Sequence, residues 1–173
     1  MTMVYFYIGA ACLNDPKLFE TARSLIQCEH DLLNELYSTK SPTSNIPVVL
    51  TYIVDTDGQL WVADRHSEHI ACARGKSVLS AGEMTIEIDH KKVIVIDVTN
   101  QSTGYCPEPE SWPVVDLVLN KAGIEHPNNF TRAFIFRLCD NCGQINVVKE
   151  YDFTCAVCGN ELNQKWNFAH DAS

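Results

Sequence analysis

The stretch CDNCGQINVVKEYDFTCAVCG, residues 139–159, sets two Cys-x-x-Cys-Gly units twelve residues apart near the end of the chain. Two residues between sulfurs let both reach one metal ion, and the glycine after each pair admits the tight backbone turn that this approach needs. The twelve intervening residues are enough for two short strands, which predicts a zinc ribbon with Cys139, Cys142, Cys155 and Cys158 as ligands. ELNQKWNF (161–168) is expected to add its last strand. An iron–sulfur cluster and a redox dithiol pair are the alternatives for the same cysteines. Four thiolates fill a tetrahedral zinc and leave no position for water or substrate, so the expected cofactor is one structural ion.

The rest of the chain must therefore carry any chemistry. Its 173 residues allow one ordinary core and a small appendage, which predicts an α+β domain over 1–137 and the ribbon over 138–168. Hydrophobic residues make up 46% and charged residues 20%, the composition of a folded globular protein. The net charge of −9 argues against nucleic-acid binding, since affinity for phosphates comes from Lys and Arg. From Cys139 onward only Lys149 and Lys165 stand against five carboxylates, so the ribbon is acidic too. A protein partner is expected instead.

At the start, MVYFYIGAACL (3–13) is apolar but has no basic residue before it and is too short to span a bilayer. It reads as a buried first strand, and IGAAC is only loosely similar to a lipoprotein cleavage box. With four cysteines in metal spacing and Cys12, Cys28, Cys72 and Cys106 scattered, reduced thiols and a cytoplasmic location are expected.

Asn14-Asp15-Pro16 then opens a pattern of Leu18, Ala22, Leu25, Ile26, Leu32, Leu33 and Leu36 that predicts one amphipathic helix ending near Ser41-Pro42, followed by a linker at 38–45. IPVVLTYIV (46–54) and QLWVA (59–63) flank Asp57-Gly58 as a hairpin. MTIEID (84–89) and KVIVIDV (92–98) make a second pair, joined through His90 and Lys91. Between them, residues 64–83 are either a short helix or an irregular crossover. VVDLVLNKAG (114–123) is a helix stopped by Gly123, and TRAFIFRL (131–138) a strand entering the ribbon. The fold class is thus α+β, a small, mostly antiparallel sheet with two helices plus a C-terminal zinc ribbon.

Residues 61–107 concentrate short polar motifs: His66-Ser67, Ala81-Gly82-Glu83, and Ser102-Thr103-Gly104-Tyr105 before Pro107. This order resembles a module of bacterial toxin-like and effector-like proteins, in which a His-Ser pair, an Ala-Gly-Glu triplet, two strands and Ser-Gly-His-Tyr follow one another. Here Thr-Gly stands where that module has Gly-His. The resemblance implies a toxin, effector or defence setting rather than a reaction. By type, His66, Glu83 and Tyr105 suit a general base, an electrostatic partner and a proton donor, and Ser102 joins them as the fourth candidate catalytic residue. The same residues also suit a helix cap, a carboxylate answering Arg65 or Arg74, and a core ring with a tied hydroxyl. Cys106 is a candidate nucleophile. HSEHIACA (66–73) is in addition similar to the His-x-Glu helix of zinc nucleobase deaminases, whose Pro-Cys-x-x-Cys partner motif has no counterpart beside Cys106. The expected function is a zinc-binding protein-interaction or adaptor subunit, with an enzyme at His66, Glu83, Ser102 and Tyr105 as the alternative.

Overall fold

The computed structural model describes residues 2–39 and 46–168. The expected helix end at Ser41-Pro42 and the linker from residue 40 onward lie outside them. Five antiparallel strands, in the order β1-β3-β2-β4-β5, form the main sheet. They are β1 (Ser24–Ile26), β2 (Val48–Asp55), β3 (Leu60–Asp64), β4 (Val78–Asp89) and β5 (Lys92–Val98). Both expected hairpins are present. Gly58 at φ 75° closes the first, while His90 and Lys91 at φ 46° and 70° close the second in the left-handed pair that a two-residue turn requires.

Alternation along the strands gives the sheet two faces. On one, Leu50, Tyr52, Val62, Met84 and Val95 pack under helices α1 (Glu29–Thr39) and α3 (Trp112–Lys121). Burying each such side chain contributes roughly 1.5–3 kcal/mol. On the other, Ile53, Ala63 and Ala81 lie under Tyr5, Tyr105 and a third, four-residue helix, α2 (His69–Cys72), which fills the crossover expected between the hairpins.

Three expectations are corrected. The long amphipathic helix is instead a 3-10 turn (Pro16–Glu20), the edge strand β1 and then α1. Edge pairing of Ser24–Ile26 with Leu60–Val62 satisfies the open ladder of β3, and Arg23 lies over the Trp61 ring at 3.7 Å while donating to the Cys72 carbonyl at 2.6 Å. Only the second half of the pattern, Leu32 and Leu36, then remains a buried helical stripe. The apolar start is not a strand: Tyr5 alone bridges Val78, through two 2.8 Å hydrogen bonds, and Met3 and Val4 are exposed. Beyond the cysteines, Glu161 makes one bridge to Thr154 in place of a last strand, because Trp166 and Phe168 turn back onto the body.

A further difference sets the geometry of the second face. β4 starts at Val78, six residues before the expected strand, so Ala81-Gly82-Glu83 lies within it. The backbone of Thr99 crosses Gly82 so closely that a Cβ there would stand 1.9 Å from the Thr99 carbonyl oxygen. That same oxygen accepts the Tyr52 hydroxyl at 2.8 Å.

The ribbon is the hairpin β6 (Ile135–Leu138) and β7 (Ile145–Val148) with its two cysteine turns; the expected boundary at 137/138 falls inside β6. Arg137, 4% exposed, ties it to the body. Its guanidinium donates to both Glu108 carboxylate oxygens, at 2.7 and 3.0 Å, and to the Gln164 carbonyl at 2.9 Å. Trp166 donates to the Cys106 carbonyl, and the Asn167 side chain pairs with both the N–H and the carbonyl of Leu138.

Two pairs of substitutions test this account by denaturant unfolding. Gly82→Ala is expected to cost about 3 kcal/mol, the upper end of overpacking, because its obstacle is backbone. Gly58→Ala, in open space at positive φ, is expected to cost about 1–2 kcal/mol. Arg137→Ala should cost about 3–5 kcal/mol by stranding Glu108, whereas Arg132→Ala, which breaks the exposed pair with Asp97, should cost under about 1 kcal/mol. Equal losses for the two arginines would refute the anchoring role of Arg137.

Candidate metal centre and candidate ligand cavity

Cys139, Cys142, Cys155 and Cys158 bring their sulfurs within 4.8 Å of one another, with Cys139–Cys158 and Cys142–Cys155 at 3.6 Å. The two knuckles repeat one backbone plan. Gly143 donates to the Cys139 carbonyl and Gly159 to that of Cys155, with both glycines at φ near the left-handed helix (71° and 74°), the conformation expected of them. The Asn146 amide reaches the Cys155 sulfur and the Asn141 amide that of Cys158, each at 3.5 Å, while Asn146 Oδ1 accepts from the Ala156 N–H at 3.0 Å. Donors directed at sulfur favour thiolate. The backbone N–H of Cys158 is the largest of the influences that hold Cys155 down at about 6, and that of Asn160, with the Asn141 amide, lowers Cys158. Four cysteine sulfurs so arranged can hold a metal ion.

The candidate catalytic residues are distributed rather than gathered. His66 is exposed in the turn after β3, its backbone N–H donating to the Asp64 carboxylate at 2.9 Å, and it lines an open hollow with Leu13, Leu18 and Glu68. Glu83 is half-buried on β4, paired with Thr51, whose hydroxyl is 3.2 Å from the Ser67 carbonyl. Ser102 is buried, and its hydroxyl has no partner among the described residues. Tyr105 is buried with its hydroxyl donating to the Lys76 carbonyl at 2.7 Å, and burial holds the phenol far above its ordinary value. Burial likewise pushes the Cys106 thiol up to about 12, the opposite of what a nucleophile needs.

Sequence reasoning passed over His69, which opens α2 just after the first of the three polar motifs it did notice. Its ring is half-buried and its Nε2 lies 2.9 Å from the Gly82 carbonyl. A carbonyl only accepts, so the proton sits on Nε2 and Nδ1 keeps its lone pair. With Glu68, Tyr7, Thr103 and Gly104, His69 lines a cavity of about 230 Å³. Two of the motifs reach this place, through the Gly82 carbonyl and through Thr103 and Gly104, while from the first segment it is the residues after His66-Ser67, Glu68 and His69, that take part. The signal available in the sequence was the second histidine of HSEH next to the apolar Ile70-Ala71-Cys72.

Set against known proteins, the chain matches no family model, no curated protein and no solved structure.

Burial lowers the His69 imidazole below its ordinary value of 6.5. Between that depressed value and 6.5 the folded residue binds fewer protons than the unfolded one, so its share of stability is complete above 6.5 and is lost as pH falls through the window. His69→Gln, whose amide can donate to the same carbonyl, is expected to show a flatter dependence of unfolding free energy on pH between about pH 7.5 and 5. Parallel curves for variant and parent would refute this.

Proposed function

We propose that the protein is a noncatalytic, zinc-stabilised recognition protein that engages a protein partner through its ribbon. Zinc is supported by the donor set and by distance: bonds of about 2.3 Å in a tetrahedron require sulfurs about 3.8 Å apart, close to the 3.6 Å of the two nearest pairs. Such an ion has no open position for substrate. It holds a unit whose own core is little more than Val148, Leu162 and the cysteines, so its binding energy, about 10–16 kcal/mol in zinc-finger peptides, becomes folding energy here.

The observation that carries the reading is what the anchored ribbon shows to solvent. Tyr151 is 82% exposed, Val157 68% and Val147 42%, on turns and a strand held by the metal knuckles. Glu150 and Asp152 flank the tyrosine. Apolar side chains rigidly presented inside an acidic rim suit a partner surface that is apolar with basic edges. The net charge of −9 weighs against phosphate backbones. Four cysteines in metal spacing and four scattered ones, none in a disulfide among the described residues, support a reducing compartment such as the cytoplasm, and the motif resemblance supports a bacterial toxin, effector or defence system. No helix among the described residues is long and apolar enough to cross a membrane. The enzymatic alternative at His66, Glu83, Ser102 and Tyr105 draws less support, because the hydroxyl of Tyr105 is committed and His66 faces open solvent.

Elemental analysis of the purified chain should find one zinc, and Cys155→Ser should lose it together with thermal stability. A Cys155→Ser protein as stable and as metal-loaded as the parent would overturn the metal assignment. Tyr151→Ser combined with Val157→Ser should keep zinc and melting temperature while losing the partner that cross-links to the parent in its native cell; an unchanged cross-linked partner would remove the ribbon tip from the interface.

A further inference from the structure

The cavity beside His69 is built rather than left over. Tyr7 forms one wall because two glycines let it: a Cβ on Gly9 would stand 2.5 Å from the Tyr7 hydroxyl, and one on Gly104 would stand 2.7 Å from its ring. Tyr105 meets the Tyr7 ring edge-on at 5.7 Å, and the Tyr7 hydroxyl donates to the Ala10 carbonyl. His69 is oriented by the hydrogen bond of its Nε2 to the Gly82 carbonyl, which leaves Nδ1 as the acceptor of the ring. Glu68 adds a carboxylate, and among the described residues no Lys or Arg lines the cavity. That carboxylate is close enough to contribute, after burial itself, to raising the Tyr7 phenol.

The wall therefore holds an imidazole lone pair, a carboxylate and a phenol oxygen that can still accept, against one hydroxyl donor on Thr103. Among the described lining residues an anion meets no cationic side chain, whereas a cation rich in N–H groups meets acceptors and an aromatic ring. At about 230 Å³ the space is smaller than the roughly 300–1,000 Å³ of pockets for drug-sized ligands, so it suits one small group or one side chain. We propose that this cavity is a binding site for an alkylguanidinium, with N–H groups donating to His69 Nδ1 and the Glu68 carboxylate and the guanidinium plane against Tyr7. A guanidinium is favoured over an ammonium because it is planar, offers several donors in a fixed fork, stacks on aromatic rings and is more weakly hydrated. The site is separate from the ribbon tip and does not depend on the partner proposed there. Free arginine-like molecules and arginine side chains on a protein share this chemistry.

The test is titration of the full zinc-loaded chain, with the His69 ring nitrogens followed by NMR and affinity by calorimetry. The probes are N-acetyl-arginine methylamide, free arginine, butylammonium and N-acetyl-citrulline methylamide. Both arginine probes are expected to move the His69 Nδ1 resonance. The capped one binding tighter assigns the natural source to a protein chain, and the free one binding tighter assigns it to a small molecule. Glu68→Gln, an exposed and fold-neutral change, should weaken binding by about fivefold, as for a partly solvated charge pair. His69→Phe, which has no acceptor atom, should abolish the acceptor contact, and Leu33→Ala, on α1 across the sheet, should leave affinity unchanged. No shift at His69 with either arginine probe, equal binding of butylammonium or of the neutral citrulline probe, or full affinity in Glu68→Gln would each overturn the proposal.

Discussion

The crossing of Thr99 over Gly82 is the constraint on which the second half of the molecule depends. With 1.9 Å between the place of a Cβ and the Thr99 oxygen, only glycine permits the crossing, and the hydroxyl of Tyr52, the residue paired with Gly82 across the sheet, fastens the carbonyl once it is there. The next residue, Asn100, is then positioned to act as a buried clamp. Its amide donates to the Pro107 and Phe134 carbonyls while its oxygen accepts from the Phe134 N–H. One close approach in the sheet thereby fixes both the loop that carries Thr103 and Gly104 and the point where the chain enters the ribbon.

The ion pair of Arg137 with Glu108 extends that order into the ribbon by a different route. Taking both charges out of water is costly, and the attraction repays it only with good geometry and further hydrogen bonds. Here the pairing is bidentate and two carbonyls take the remaining N–H groups, although Nε has no partner among the described residues. Such a pair adds less to net stability than to uniqueness: it allows one orientation of ribbon on body, and that orientation is what gives the exposed Tyr151 and Val157 a fixed place in space.

The parts of this arrangement that were legible in the sequence are those set by local chemistry. Cysteine spacing, the Asp57-Gly58 and His90-Lys91 turns and the glycine stop at Gly123 act over a few residues, and each was found where the sequence put it. The failures were tertiary. The stripe from Leu18 to Leu36 has helical spacing, but the open edge of β3 claims Ser24–Ile26 for hydrogen bonding that no periodicity reports. Ala81-Gly82-Glu83 was expected in the crossover ahead of a strand at 84–89, and its place inside β4, with glycine in mid-strand, is explained only by a chain segment passing above it. Four sulfurs could be named as a set from their spacing, whereas the cavity of Tyr7, Glu68, His69 and Thr103 draws on three separated segments. His69 rather than His66 faces it, a choice made by the seating of α2 on the sheet.

The edge-to-face contact of Tyr5 with Trp166, at 5.8 Å between ring centres, joins positions near the two ends of the described chain. Tyr5 is also the residue that bridges the main sheet, and Trp166 lies just past the cysteine turns. A contact of such sequence separation closes a long loop, whose entropy cost is met before the contact repays it, so it belongs to the slow, late part of folding. During synthesis Tyr5 can bridge Val78 as soon as the main sheet has formed, whereas its contact with Trp166 waits for the residues beyond the cysteine turns. The aromatic cover that Trp166 adds over the second face is therefore laid down after the four cysteines have been made.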